Sequence, residues 1–380
     1  MIWKMRLRRD WGRLDMIYKW GELIALEYGK PVKDKARTDG QYPVYGTNGQ
    51  IGTSNLTPLC DHPSFILGRK GAYRGVHYSS VPFSVIDTAF YAVNLHPDIL
   101  DIKWAYYRFL TYDINSMDSG SAIPSTDRYE IYAIEVDLPA IDEQKREVKL
   151  LECFDDKIAN ITEINDNLQQ QALAIFQQEL LRDGEVPEGW SNGSLLDIAN
   201  YLNGLAMQKF RPADGENGLP VLKIKELRQG SCDASSELCS PSIKPEYIVH
   251  DGDVIFSWSG SLLVDLWCGG TCGLNQHLFK VTSEKYPKWF YYAWTAHHLA
   301  RFVAIAADKA TTMGHIKREE LAKAEVVIPD AASMERIGGI LQPMYDLIIS
   351  NRIENRKLAA LRDTILPQLM SGELDVGDLT

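Results

Sequence analysis

Two long segments of the chain carry apolar residues at every third or fourth position, separated by polar residues. In the first segment these positions are Val148, Leu151, Phe154, Ile158, Ile161, Leu168, Ala172 and Ile175. In the second segment they are Ile337, Leu341, Met344, Ile348, Leu358, Ile365 and Leu369. The spacing predicts two helices of about 35 residues, roughly 50 Å long, each with one apolar stripe. Because a lone helix cannot bury such a stripe, we expect the two helices to pack together as a coiled coil.

Asparagines interrupt both stripes, at Asn165 in the first and at Asn351 and Asn355 in the second. Asn165 and Asn355 either pair across the helix interface and fix its register, or they face solvent, and the sequence leaves both interpretations open. We call the predicted contact between the helices the helix seam. Its predicted members are Ile158, Ile161, Asn165, Leu168, Ile348, Asn355, Leu358 and Ile365.

The segments around these helices form an internal repeat. "KWAYY" at 103–107 returns as "KWFYY" at 288–292, and three further pairs of identical residues are each separated by 190 positions. These pairs are Arg128 and Arg318, Pro139 and Pro329, and Asn165 and Asn355. Such a shared register indicates two copies of one unit. Within each pentapeptide, Trp104 and Tyr107, and likewise Trp289 and Tyr292, are predicted to form the buried face of a short helix on the sheet.

The order of segments is globular unit, helix, globular unit, helix. We therefore predict an α/β (α+β) fold with two similar domains, joined by two long antiparallel coiled-coil helices and related by a pseudo-twofold axis. The expected boundaries are 1–141 and 184–331 for the domains, 142–183 and 332–372 for the spacer helices, and 373–380 for a tail. Residues 1–19 are basic and match nothing at the start of the second copy, so they are interpreted as a start-site artefact or a flexible arm.

Composition narrows the class of protein. The chain has 380 residues, of which 45% are hydrophobic, enough for a core in each of two or three domains. No apolar run of membrane-spanning length and no signal segment is present, so we expect a cytoplasmic protein without a membrane partner. The net charge of −11 is concentrated in residues 141–190, which hold five basic and twelve acidic residues. The remaining segments are nearly neutral, so a DNA surface is neither excluded nor implied.

Motifs for catalysis and metal binding are missing from the sequence. There is no "NPPY" or "DPPY" of an amino-methyltransferase and no glycine-rich phosphate loop, so we expect no catalytic residues and no cofactor in this chain. Four cysteines lie in the second copy, at Cys232, Cys239, Cys268 and Cys272. Their spacing differs from that of zinc modules, which favours reduced, mostly buried thiols and no metal site.

Several strings resemble the specificity subunits of type I restriction-modification enzymes over nearly the whole chain: "YPVYGTNGQIG", "SGSAIPSTDRYEIYAIEVDLPAIDEQ", "FSWSGS", "LNQHLFKV", "TTMGHIKREEL" and "LAALRDTILPQLMSGEL". The resemblance implies a non-catalytic DNA-recognition subunit. Its two target-recognition domains each bind half of a bipartite, asymmetric site on double-stranded DNA. Its helices serve as a spacer and as the docking surface for two modification subunits. It also implies that S-adenosylmethionine, and ATP with Mg²⁺, belong to the modification and restriction subunits.

In the first domain, three segments offer candidate DNA contacts. Cations of "GRKGAYRG" suit phosphates, the amides of "YPVYGTNGQIG" suit adenine edges, and the third segment holds Ser125, Thr126 and Arg128. The first two segments are also interpretable as plain turns, the second of them with Asn48 and Gly49 at positive φ. The candidates are Tyr45, Asn48, Gln50, Arg69, Lys70, Arg74, Ser125, Thr126 and Arg128.

The second domain supplies its own candidate DNA contacts: Lys223, Lys225, Ser257, Trp258, Ser259, Asn275, Gln276, His277, Lys309, Thr312, His315, Lys317 and Arg318. The alternation of apolar and polar residues over 274–279 also fits a half-buried strand, with one of the polar pair facing the core. Lys317 and Arg318 are more often found on the solvated face of a helix than in contact with DNA. The choice between DNA contact and ordinary surface stays open for these residues.

Two other functions remain possible on the sequence. The first is a coiled-coil scaffold whose two domains bind proteins and have no DNA specificity, which suits the acidic first helix. The second is the recognition module of a different restriction architecture. If the chain does recognise DNA, half-sites about 34 Å apart would place both domains on one face of the duplex. The helices would then act as a ruler, and inserting residues in them should lengthen the tolerated gap.

Overall fold

The computed structural model describes residues 16–35, 37–117, 124–181, 186–308 and 316–379. This chain divides into two compact units. Unit 1 contains the described residues up to Asp156 together with those from Ala359 onwards, and unit 2 contains Lys157–Leu358. No helix in the described ranges is both long enough and apolar enough to cross a membrane.

Unit 1 is built on three sheets. Its strands are β1 Met16–Lys19, β2 Ile24–Tyr28, β3 Tyr42–Gly46, β4 Gly49–Ser54, β5 Ser64–Gly68, β6 Val76–Ser79, β7 Ser84–Val85, β8 Ala89–Asn94 and β9 Glu135–Leu138. Its helices are α1 Trp20–Leu23, α2 Ile102–Leu110, α3 Arg128–Ala133 and the first part of α4, which spans Ile141–Leu180. The sheet orders are β2-β8-β5-β6, β4-β3-β7 and β1-β9. Strand β7 is parallel to β3, and the other pairs are antiparallel.

Unit 2 repeats this plan. Its strands are β10 Ser191–Ser194, β11 Asn200–Asn203, β12 Leu219–Leu222, β13 Leu238–Cys239, β14 Ile248–Val249, β15 Val254–Ser257, β16 Leu263–Leu266, β17 Cys272–Leu274, β18 Leu278–Thr282 and β19 Glu325–Ile328. Its helices are α5 Leu195–Ile198, α6 Ile224–Gln229, α7 Lys288–His297, α8 Leu299–Asp308, α9 Arg318–Ala322 and most of α10, which spans Ala331–Ser371. The sheet orders are β11-β18-β15-β16, β13-β12-β17-β14 and β10-β19, with β17 parallel to β12.

The predicted internal repeat is confirmed by these topologies, since each unit has the same four-stranded sheet order and the same single parallel pair. One detail of the prediction is wrong. Met16–Lys19 is not part of an arm without a counterpart, because it forms β1 and pairs with Glu135–Leu138 as β10 pairs with β19. The sequences "MIYK" and "SNGS" share only their extended backbone, so sequence similarity could not reveal the match.

The repeated aromatic pentapeptides lie on α2 and α7, where they pack on the sheets of their own units. Trp104, Tyr107 and Trp289 are buried, as predicted, whereas Tyr292 is half-buried and contacts the ring of Tyr345. In unit 1 the indole of Trp104 donates a hydrogen bond to the buried carboxylate of Glu147 at 2.6 Å. The aromatic face therefore fixes the start of α4 to the sheet.

Within unit 2 the two long helices pack antiparallel. The Asn165 amide donates to the carbonyl of Ile348 at 3.3 Å and accepts from Asn351 at 2.9 Å. Farther along α4, Glu179 pairs with Arg336 at 2.8 Å, so the partner numbers fall as the α4 numbers rise. The pairing of Asn165 with Asn355 is not formed, because Asn351 lies one helical turn closer.

Asn355 is nevertheless part of the contact between the helices. It donates to the carbonyl of Ile158 at 3.2 Å and to the hydroxyl of Thr162 at 3.1 Å. Both asparagines therefore satisfy backbone carbonyls across the interface instead of facing solvent. Among the apolar seam residues, Ile161 and Ile348 are buried, while Ile158, Leu168, Leu358 and Ile365 are half-buried.

Candidate nucleic-acid interfaces

In unit 1, a tight turn connects β7 to β8 through Ile86, Asp87 and Thr88. The Ile86 amide donates to the carbonyl of Tyr45 at 2.9 Å, and the Ala89 amide donates to the carbonyl of Ile86 at 3.1 Å, which closes the turn. Gly29 packs directly under the turn, where a Cβ atom would collide with the Ile86 carbonyl oxygen. The backbone of the turn is therefore fixed from both sides.

In unit 2, the connection from β17 to β18 has the same construction. The backbone amide of Asn275 donates to the carbonyl of Leu222 at 3.2 Å, and the Leu278 amide donates to the backbone carbonyl of Asn275 at 3.0 Å. Gly204 lies under this turn, and a Cβ atom there would collide with the Asn275 carbonyl oxygen. Residues 275–277 form a turn between two sheets, so the interpretation of 274–279 as one continuous half-buried strand is wrong.

These bonds align the two units residue by residue. Asp87 and Thr88 of unit 1 occupy the places of Gln276 and His277 in unit 2. We call Ile86–Thr88 and Asn275–His277 the equivalent turns. Beside them, the Arg69 amide donates to the carbonyl of Thr88 at 2.9 Å, and the Trp258 amide donates to the carbonyl of His277 at 3.4 Å. Arg69 and Trp258 are therefore counterparts that carry different chemistry.

Arg128 and Arg318 are a second pair of counterparts. Each begins a short helix, and each guanidinium lies 3.5 Å from a strand carbonyl, that of Leu26 in unit 1 and that of Tyr201 in unit 2. This shared contact explains why an arginine occurs at both positions 190 residues apart. Arg128 is half-buried, and Arg318 is exposed.

Unit 1 presents cations on aromatic rings. The guanidinium groups of Arg69 and Arg128 each lie 5.0 Å from the centre of the Tyr28 ring, and Arg128 also lies 5.2 Å from that of Tyr129. Such contacts orient the arginines while leaving their charge available. Tyr73 and Tyr129 are 67% and 64% exposed. Sequence reasoning missed these tyrosines, although Tyr73 lies within "GRKGAYRG" and Tyr129 directly follows Arg128.

Arg74 and Thr126 do not belong to this surface. Arg74 is only 2% exposed, and its guanidinium donates to the carbonyls of Asn115 and Met117 and to the hydroxyl of Thr126. Thr126 is 4% exposed. The predicted phosphate contact is wrong for Arg74, since the side chain is consumed in holding its loop to residues 115–117. Lys70 of the same loop is exposed, and its backbone bridges to that of the half-buried Ser125.

The hairpin between β3 and β4 carries the predicted amides. Asn48 and Gln50 are exposed, whereas Tyr45 is half-buried and contacts the ring of Phe83. At the turn, Gly49 has a positive φ of 117° and Asn48 does not, so the turn does not require an asparagine at position 48. Under the hairpin lies the half-buried His77, which sequence reasoning also missed. Burial lowers the pKa of His77 and favours a neutral imidazole.

Unit 2 gathers part of its candidates around a surface depression with a volume of about 470 Å³. The lining residues are Gln208, Arg211, Lys223, Ile224, Lys225, Glu237, Asn275, Gln276 and His277. Five of the predicted contacts thus come together from two distant segments of the chain. Gln208 and Arg211 were missed because they lie in a segment without a motif.

The cations of this depression are already paired. Glu237 lies 2.6 Å from Lys223 and 3.5 Å from Arg211, and the hydrogen bond from Lys223 lowers the pKa of the Glu237 carboxyl. Lys225 lies 3.5 Å from Asp233. A phosphate approaching the depression must therefore compete with carboxylates for Lys223 and Lys225.

The side chains of the unit 2 turn form a chain of polar contacts. The Nε2 atoms of Gln276 and His277 lie 3.3 Å apart, and Nδ1 of His277 lies 3.1 Å from the Ser259 hydroxyl. The side chain of Asn275 accepts from the His277 amide at 3.2 Å. The half-buried Trp258 donates from its indole to Asn203 at 3.0 Å. Gln276 and His277 are half-buried on the wall of the depression.

Three of the predicted contacts in unit 2, including Asn275 of the depression, are almost fully buried. Ser257 is fully buried, Ser259 is 5% exposed and Asn275 is 6% exposed. Their polar atoms form hydrogen bonds with neighbouring residues, so they support the surface from inside. Lys317 is exposed at the start of α9. Lys309, Thr312 and His315 lie outside the described residues.

No group of three or more metal-ligand side chains that could hold an ion occurs in the described part of the chain. The six cysteines are free thiols, of which Cys60, Cys239, Cys268 and Cys272 are buried.

Comparison with known proteins identifies the family. A family model for the type I restriction modification DNA specificity domain matches residues 16–170 and again 187–361. The MjaIX specificity subunit of Methanocaldococcus jannaschii is 25% identical over 304 residues, covering 73% of this chain and 70% of the relative. The EcoBI specificity subunit of Escherichia coli is 23% identical over 201 residues, which is 51% of this chain and 41% of that protein.

A solved structure agrees at the level of the fold. The type I restriction-modification S subunit from M. genitalium aligns over 97% of this chain and 99% of its own, with a TM-score of 0.59 and 15% identity. The chain therefore belongs to the family of type I restriction-modification DNA specificity subunits, which recognise DNA and are not themselves catalytic.

Proposed function

We propose that each unit of this specificity subunit contacts one half of a bipartite, asymmetric DNA site through its equivalent turn and the side chains beside it. One observation carries the proposal. The same backbone hydrogen bonds hold the turn in both units, while the side chains differ, with Asp87 and Thr88 in one and Gln276 and His277 in the other. A constant framework with divergent polar side chains is what two different half-sites require.

In unit 1, the proposed phosphate contacts are Arg69, Lys70 and Arg128, and the proposed base contacts are Asn48 and Gln50. The exposed position of Lys70 and of the two amides supports these roles. Arginines held on aromatic rings keep a fixed direction, which suits phosphates at defined places. Tyr45 and Ser125, both half-buried, are assigned to the edge of the contact.

In unit 2, Gln276 and His277 are the proposed base contacts, since they lie on the wall of the depression. Lys223, Lys225, Lys317 and Arg318 are the proposed phosphate contacts. Trp258, the counterpart of Arg69, is assigned to packing against the sugar-phosphate backbone. Because Lys223 and Lys225 are already paired with carboxylates, unit 2 is proposed to draw more of its binding from base edges than unit 1 does.

The long helices are proposed to space the two half-sites and to dock two modification subunits. The acidic composition of residues 141–190 and exposed apolar side chains on α4 and α10 support a protein partner. These side chains are Ile164, Leu173, Ile340, Leu347 and Leu361. In this assembly S-adenosylmethionine binds the modification subunits, and ATP with Mg²⁺ binds the restriction subunits.

Methylome sequencing tests the proposal. Cells are given the full chain with a modification subunit, and methylated motifs are mapped genome-wide. We expect one split motif, methylated on both strands, and we expect substitutions at Gln276 to change only one of its halves. Substitutions at Asn48 should change only the other half. Absence of a split motif, together with indifference to DNA in retention assays, would instead favour the protein-binding scaffold.

A further inference from the structure

The polar contacts of the unit 2 turn define which base it selects. We infer that Gln276 recognises an adenine in the second half-site, and that the imidazole of His277 sets the orientation of its amide. This inference rests on the proposed function and deepens it, because it assigns one base to one side chain. It concerns the geometry of three neighbours, Gln276, His277 and Ser259.

The direction of each hydrogen bond follows from the atoms involved. A carboxamide nitrogen only donates, so the 3.3 Å contact between Nε2 of Gln276 and Nε2 of His277 requires the imidazole nitrogen to accept. The imidazole proton must then lie on Nδ1, from which it is donated to the Ser259 hydroxyl at 3.1 Å. Ser259 is buried, so this hydroxyl provides a fixed anchor for the imidazole.

The bond to His277 uses one of the two amide hydrogens of Gln276. The second hydrogen and the carbonyl oxygen remain for a ligand, which gives one donor beside one acceptor. In the major groove, adenine offers N7 as an acceptor beside the N6 amino donor, whereas guanine offers two acceptors, N7 and O6. The oriented amide is complementary to adenine. Against guanine, the Gln276 carbonyl oxygen would face the O6 atom, and neither of these two acceptors has a proton to donate.

The surroundings allow a base edge to reach this amide. Gln276 is half-buried on the wall of the 470 Å³ depression, and the cations Arg211, Lys223 and Lys225 line the same depression. These cations are placed to receive the phosphates that flank the contacted base. The equivalent turn of unit 1 carries Asp87 and Thr88, so it has no amide held by an imidazole as Gln276 is held by His277. The first half-site therefore serves as an internal control.

Two substitutions at position 277 separate the two amide orientations. A lysine ammonium only donates, so His277→Lys should turn the Gln276 carbonyl towards position 277 and point both amide hydrogens at the base. A glutamate carboxylate only accepts, so His277→Glu should keep the native orientation. The near-isosteric Gln276→Met removes the polar edge while preserving the volume of the side chain.

The experiment is selection from a random duplex library by the full chain assembled with modification subunits, followed by sequencing of retained DNA. We expect the wild type and His277→Glu to select adenine at one position of the second half-site, and His277→Lys to select guanine there. Gln276→Met should lower discrimination at that position alone, by about 10-fold to 100-fold. The first half-site should be unchanged in all variants, which also shows that they are folded.

Identical base selection by His277→Lys and His277→Glu would overturn the inference that residue 277 sets the orientation of the Gln276 amide. Unchanged base discrimination in Gln276→Met would overturn the assignment of adenine to Gln276. A wild-type preference for another base, at the position of the second half-site where the variants change selection, would overturn it as well. Both results leave a bipartite site in place, so the proposed function survives them. Loss of sequence selection in both halves by the wild type would overturn the proposed function itself.

Discussion

The two units share a backbone and differ in the chemistry that they present beside it. In unit 1 the position next to the equivalent turn holds Arg69, stacked on Tyr28 without a carboxylate partner among its described contacts. In unit 2 the same position holds Trp258, and the nearby Lys223 is paired with Glu237. The comparison teaches that a few side chains on a fixed framework are enough to separate two recognition surfaces.

This difference has an electrostatic consequence. Unpaired arginines contribute directly to salt-dependent binding, because each neutralised phosphate releases counterions. Cations that are already paired contribute less until their partners give way. We therefore expect unit 1 to supply more of the salt dependence of DNA binding and unit 2 to supply more of the base discrimination.

The largest expected effect concerns the framework that both units share. In Gly29→Ala and Gly204→Ala, the new Cβ atom meets a carbonyl oxygen of the equivalent turn. We expect each substitution to lower the free energy of unfolding by about 1–3 kcal/mol and to abolish recognition of its own half-site only. Calorimetry and library selection with the full chain measure the two effects.

Gly339→Ala is the matched control for these variants. Gly339 lies within α10, and a Cβ atom there meets nothing within 4 Å. Stability should be unchanged or slightly higher, because alanine favours the helix. If Gly29→Ala and Gly204→Ala left both half-sites recognised as in the wild type, the turns could not be the contacting elements.

The second effect separates support from contact within unit 1. Arg74→Ala leaves the carbonyls of Asn115 and Met117 without their donor, and it should lower the free energy of unfolding by about 1–3 kcal/mol. Lys70→Ala should leave the melting temperature unchanged and weaken DNA binding. Thermal unfolding and titration of DNA at several salt concentrations distinguish the two variants. The opposite pattern would return Arg74 to the contact surface.

The sequence predicted the repeat, both long helices and the aromatic face of the short helices, because these depend on periodicity and on residues kept in both copies. It failed where burial decides the role. Arg74 lies in a polar, glycine-containing loop, and Ser257 ends β15 just before a similar loop, yet the fold turns both side chains inward. The strand-like alternation over 274–279 failed because two leucines anchor opposite ends of a turn instead of one strand face.

A third, intermediate effect tests the electrostatic contrast at the counterpart positions. Arg69→Gln should reduce the slope of log affinity against log salt by about 0.9, since one phosphate contact is lost. Trp258→Leu should weaken binding without changing that slope, because no charge is removed. DNA retention by the assembled full chain at graded salt concentrations provides the slopes. Equal changes of slope in the two variants would break the comparison between the units.

The smallest expected effect is a gain of affinity in unit 2. Lys223 lowers the pKa of Glu237, so this carboxylate is ionised at neutral pH and competes with phosphates for Lys223 and Arg211. Glu237→Gln frees both cations and should tighten DNA binding by a few-fold, with a steeper salt dependence. Salt titrations of the assembled full chain measure both quantities.

Glu246→Gln provides the control for Glu237→Gln, because it removes the same charge from an exposed site in unit 2. If Glu237 competes with phosphates for Lys223 and Arg211, only Glu237→Gln should steepen the salt dependence of DNA binding. Equal gains in the two variants would show that the overall charge of the chain is responsible. In that case the ion pairs of the depression would not explain why unit 2 depends less on salt than unit 1.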